Sequence, residues 1–128
     1  MTTLLLDDNT EVQSVADISA VLREQAQVTR DVPPTMTLKS GDAELIVGVR
    51  GNRAVLYWMT YSDDDAVATG GTNPEPVSYG HQQILMPAYT EIALENAIEA
   101  AVVFARSGQR PESVTWALYV DEIERSVD

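Results

Sequence analysis

Residues 43–65 read AELIVGVR, then GN, then RAVLYWMTYSDDD. An apolar, β-branched run climbs to Gly51-Asn52, and a second run rich in aromatic residues leaves it. Two strand-like arms joined by a Gly/Asn pair predict a β-hairpin. The second arm is the longest strand candidate in the chain and ends in three consecutive carboxylates, Asp63, Asp64 and Asp65. By alternation, Tyr57, Met59 and Tyr61 share one face while Leu56, Trp58 and Thr60 share the other. One face is expected to be buried, and an aromatic on the other, beside the carboxylates, would suit an interface anchor with a charged rim.

Working toward the N-terminus, residues 35–40 alternate as TMTLKS, a half-buried strand, and Gly41-Asp42 forms the turn into the hairpin. Before them, Val15, Ile18, Val21 and Leu22 make one helical stripe. Ser14 and Asp17 have the spacing of a capping box, and Pro33-Pro34 prevents continuation far beyond Gln27. Residues 2–6 read as a first strand. On the C-terminal side, residues 67–69, 77–79 and 83–86 are short strand candidates around the loop GGTNPEP.

A second helix is expected from residues 89–91, with Thr90 as a candidate N-cap. Its apolar face carries Leu94, Ala97, Ile98, Ala101, Phe104 and Ala105; Arg106 complements the dipole and Gly108 suits the position after the end. Residues 114–120, with Trp116 and Tyr119, read as a last strand. The fold class is therefore α+β: a twisted, mainly antiparallel β-sheet with two α-helices packed on it, in one domain spanning residues 1–128.

The chain of 128 residues is long enough to bury a core, and 45% hydrophobic with 22% charged residues describes a globular protein. It has no cysteine, which removes disulfides and a cysteine nucleophile and disfavours structural zinc. The opening MTTLLLDD lacks a basic segment, and no apolar run reaches the roughly 20 residues of a membrane span. A cytoplasmic protein without signal peptide or membrane contact is expected.

Charge is the dominant compositional fact. Twenty acids face eight bases, giving a net −12. Such a field repels nucleic acid and anionic lipid and attracts basic surfaces. Solubility alone is served by a charge of about −5, so a basic partner is expected.

No enzyme motif rises above chance. His81 is the single histidine, with nothing to position a nucleophile beside it. The consecutive Asp63-Asp64-Asp65 lack the alternation and glycine of a calcium loop. Gly70-Gly71 is followed by no lysine, so it is no phosphate cradle. No catalytic residue, metal or cofactor is assigned. Glu91, Glu95 and Glu99 recur every four residues and are expected to line one exposed helix face, a secondary acidic surface.

One stretch is more specific. The run FARSGQRPESVTW (residues 104–116), preceded by the GVRGNR hairpin, its aromatic strand and the Gly-Gly loop, resembles the first family of bacterial immunity proteins from polymorphic toxin systems, often encoded beside nucleic-acid deaminase toxins. The resemblance runs from about Leu38 to Trp116. It implies a non-enzymatic inhibitor whose partner is a cognate toxin domain, basic at its active-site groove. It also implies that the signature residues Phe104, Gly108, Arg110, Pro111 and Trp116 are structural, with Pro111 and Trp116 stabilising the helix-to-strand junction. The candidate toxin-binding residues are Trp58, Tyr61, Asp63, Asp64, Asp65, Glu75 and Tyr79. Two other readings stand beside it: a small hydrolase using carboxylates, which needs an acid with a strongly raised pKa, and a structural subunit of a larger assembly.

Overall fold

The computed structural model describes residues 3–6, 11–12, 18–27, 33–41, 43–60, 65–80 and 84–118. The expected central hairpin is present. Strand β4 (Ala43–Arg50) runs antiparallel to β5 (Arg53–Met59) with Arg50 opposite Arg53, leaving Gly51-Asn52 as a two-residue turn. Gly51 takes φ 60° and Asn52 does not have a positive φ, the arrangement of a type II′ turn with glycine in first place.

Around the hairpin the sheet builds outward on both sides. Strands β1 (Thr3–Leu6), β2 (Glu11–Val12) and β3 (Thr35–Ser40) lie on the β4 side; β6 (Ala66–Thr69) and β10 (Thr115–Leu118) lie on the β5 side. The order is β10-β6-β5-β4-β3-β1-β2, antiparallel at every pairing given. A two-residue strand, β9 (Ile92–Ala93), also pairs with β5, at Arg53 and Ala54.

Both helices pack on one face of this sheet. Helix α1 (Ile18–Gln27) buries Ile18, Leu22 and Ala26, spaced four residues apart; α2 (Leu94–Ser107) buries Leu94, Ala97, Ile98, Ala100, Ala101 and Phe104. They meet Met36, Leu38, Leu45, Val47, Val49, Ala54, Leu56 and Trp58 from alternate positions of β3, β4 and β5. The Trp58 and Phe104 rings pack edge to face, 5.5 Å apart at 88°, a geometry favoured by the ring quadrupoles. The α+β class is thus as the sequence implies.

Two details differ from the sequence expectation. The second helix starts at Leu94 and not at residues 89–91, because Ile92–Ala93 are held extended by pairing with β5. Thr90 is not its cap: its hydroxyl donates to the Pro87 carbonyl at 2.6 Å, and Ala93 occupies the N-cap without a side-chain bond. Instead, the Leu94 N–H donates to the Asn52 carbonyl at 2.9 Å. At the other end Gly108 closes the helix at φ 69°, its N–H reaching the Phe104 carbonyl.

The second difference concerns the sheet's other face, which is also covered. Strands β7 (Val77–Tyr79) and β8 (Ile84–Met86) form a separate antiparallel pair. Tyr79 and Met86 join Val55 and Val67 in a second, smaller core, with Tyr57, Val77 and Ile84 against it. Gly48 makes room for this layer. A Cβ there would stand 2.4 Å from Tyr79 Cδ2 and 2.9 Å from Val55 Cγ2. Gly48→Ala should therefore force the Tyr79 ring off the sheet and cost about 1–3 kcal/mol. A urea titration reading the shift in midpoint tests this; an unchanged midpoint would show that the ring yields freely.

Candidate functional site

The densest polar constellation lies where the central hairpin turns. Glu91 stands just before β9, its side chain 3% exposed. Arg50, the last residue of β4, donates from Nε to Oε2 at 2.9 Å and from Nη2 to Oε1 at 2.6 Å. Asn73 Nδ2 donates to Oε1 at 2.5 Å, and the Tyr79 hydroxyl donates to Oε2. Arg53, the first residue of β5, stands 3.9 Å away. Burial pushes the Glu91 carboxyl up, but the hydrogen bonds from Arg50, Tyr79 and Asn73 outweigh it and hold the group below its ordinary range. The reverse acts on Tyr79: burial first, then the carboxylate beside it, raise its hydroxyl well above the usual phenol value.

The loop ahead of β7 completes the cluster. Gly71 donates its N–H to the Tyr89 carbonyl at 3.0 Å, and a Cβ on it would sit 1.9 Å from the Glu91 carbonyl oxygen. Asn73 accepts at its carbonyl from the Tyr89 N–H at 2.7 Å and at Oδ1 from the Glu75 N–H at 3.0 Å. The Gly-Gly-Thr-Asn loop is therefore bound to the segment before α2 by main chain and side chain together.

Glu91, Glu95 and Glu99 do not form one acidic face. Their four-residue spacing assumed a helix through Glu91, which lies instead in the buried cluster. Glu95 is exposed and held by Arg23 of α1 through both oxygens, one bond at 2.8 Å. That bond holds its carboxyl low and the guanidinium high. Glu99 is exposed on α2.

The candidate contact residues are dispersed. Trp58 is 6% exposed and faces the helices; Tyr79 has no exposed surface. Neither can meet a partner on the closed fold. Glu75 is exposed, and Asp65 is half-buried. The Tyr57 hydroxyl stands 3.4 Å from Asp65 Oδ2, while the buried Oδ1 has no hydrogen-bond partner among the described residues. Tyr61, Asp63, Asp64 and His81 lie outside the described residues, as do Ser14, Asp17 and Tyr119.

Residues 104–116 carry the chain from the end of α2 to β10. Phe104 is buried under Trp58, and Gly108 ends α2. Trp116 Nε1 donates to the Pro111 carbonyl at 2.7 Å, and the Arg110 guanidinium lies 5.8 Å from the Trp116 ring centroid. These residues fold the chain back from α2 into β10 beside an open groove of about 690 Å³.

Compared with known families, the chain falls among the immunity proteins. It belongs to the family described as Immunity protein Imm1, whose model matches residues 7–118. No curated protein matches the chain. Membership carries a toxin-immunity role and, with it, a cognate toxin as partner. No helix among the described residues is long and apolar enough to cross a membrane, and no group of three or more acids or histidines among them could hold a metal ion.

Nothing in the order of residues marks the Glu91 cluster as a unit. Gly48, interrupting an otherwise apolar strand, was the available signal, since such a glycine marks a close approach. Glu91→Gln should remove the charge that Arg50 and Arg53 face and lower stability at pH 7 by about 2 kcal/mol. Because the folded-state pKa is depressed, this contribution is present above the ordinary glutamate value, near 4.3, and is lost as pH falls through the lower folded value. Urea midpoints measured from pH 7 down to pH 3 should drop more steeply for the parent chain than for Glu91→Gln; parallel curves would contradict the assignment.

Proposed function

We propose that the chain inhibits a cognate toxin that acts on nucleic acid, a deaminase domain, by covering the basic groove that binds its substrate. The observation that carries this reading is the charge: twenty acids against eight bases in a chain that belongs to an immunity family. A protein that handles DNA or RNA needs cationic groups along its groove. An acidic inhibitor is drawn to that groove faster than diffusion alone allows. Binding suffices for this task and no catalysis is required. The carboxyls that move among the described residues, Glu91 and Glu95, move down, opposite to the shift that an acid-catalysing hydrolase requires.

The contact surface is assigned to residues 61–65 with the loop at residues 70–76, where Asp65 and Glu75 supply charge. Asp65 and Glu75 support this placement because both are carboxylates that are not fully buried on the described fold. Trp58 and Tyr79 act from within, by fixing the sheet and the β7–β8 layer beneath that loop.

The test uses the cognate toxin domain. Replacing Asp63, Asp64 and Asp65 together with alanine should slow association about tenfold at low salt, with the urea midpoint close to that of the parent. An unchanged association rate would remove these residues from the surface. Deamination of single-stranded DNA or RNA by the toxin should cease when one equivalent of the chain is added. A toxin with a different chemistry would overturn the deaminase assignment and leave the immunity role standing.

A further inference from the structure

Tyr89 is the one described non-glycine residue with a positive φ, 65°, and the most exposed large hydrophobic side chain among the described residues, at 54%. The two facts conflict with a structural role. A left-handed backbone disfavours a bulky side chain and suits glycine or asparagine. Full burial of the ring, which could compensate, does not occur in the chain alone.

The turn itself is tightly held. The Tyr89 N–H and carbonyl are both bound by the Gly71–Asn73 loop, and the Thr90 hydroxyl closes the turn onto Pro87. Asn73, which accepts from Tyr89, also positions the exposed Glu75 through its side chain. The fold thus projects an aromatic ring from a rigid mount, and the loop that grips it carries the exposed Glu75 two residues past Asn73. That is the composition of an interface anchor and its charged rim.

We propose that Tyr89 is the aromatic anchor of the toxin contact, seating in an apolar pocket on the toxin ringed by lysine or arginine. This rests on the immunity reading and adds a residue to its surface. The partner's chemistry follows from the exposed Glu75 on the loop that holds Tyr89 and from the acid excess of the whole chain. Anchor and rim have separable kinetics, since a desolvated ring slows dissociation whereas an exposed charge speeds association.

The experiment measures binding of the full chain to its cognate toxin domain. Tyr89→Gly removes the ring and suits the backbone. It should raise the dissociation rate at least tenfold, change association less than about twofold and leave the urea midpoint in place. Tyr89→Asn, which also tolerates the left-handed turn, should behave alike, and Tyr89→Phe should keep the parent's affinity within about threefold. Glu75→Gln should show the converse, slower association with unchanged dissociation. Parent-like dissociation by Tyr89→Gly would overturn the proposal while the immunity reading stands. A fall in midpoint for both the glycine and asparagine variants would show a structural ring and also overturn it. If the parent chain failed to bind the toxin, the immunity reading and this proposal would fall together.

Discussion

One buried carboxylate, that of Glu91, holds together pieces that are far apart in the chain. It accepts from Arg50 at the end of β4, from Asn73 in the Gly-Gly loop and from Tyr79 on the covering hairpin. An unpaired ion at that depth costs several kcal/mol, and an ion met by this many donors does not. The result is directional. Each donor must come from its own element, so the hairpin, the loop and the second layer have to arrive together for the charge to be satisfied. Arg50 and Arg53 keep nearly half of each side chain exposed, which leaves them solvated while the acid is not.

This constraint explains how the rest of the fold is arranged. With Glu91 fixed at the turn, residues 92–93 are drawn along β5, and α2 can begin only at Leu94. Its alanines at 97, 100 and 101 bring the helix close to the sheet, and Phe104 reaches Trp58. On the opposite face, Gly48 leaves the flat place that Tyr79 covers. Glu91, the one buried acid among the described residues, is thus committed to architecture.

The parts legible in the sequence were those written locally. Gly51-Asn52 between two apolar runs specified the hairpin and its register, and Ile18, Leu22 and the alanine-rich run before Gly108 specified the helices. The junction role of Pro111 and Trp116 came only from the family resemblance, since neither periodicity nor charge marks the bond from the Trp116 indole to the Pro111 carbonyl. What escaped was set by contacts between distant segments. The acids at 91, 95 and 99 carry a helical period, yet a two-residue strand pairing breaks the helix between the first and second of them. Strands as short as β2 and β9 fall below any periodicity. Tyr79 reads as a polar-ended surface residue until a glycine thirty-one positions earlier offers it a seat. Trp58 was legible as an aromatic on a strand, but which face the helices take was not.

The turn at Gly51-Asn52 is gripped from both sides. Gly51 gives its N–H to the Ala26 carbonyl near the end of α1, and the Asn52 carbonyl receives the first amide of α2. Hairpin tips are ordinarily where a protein family gains and loses residues, since nothing else depends on them. Here one inserted residue would dislodge two helix termini at once. Length changes at this turn are thereby constrained by both helices, whereas residues 74–76 are exposed.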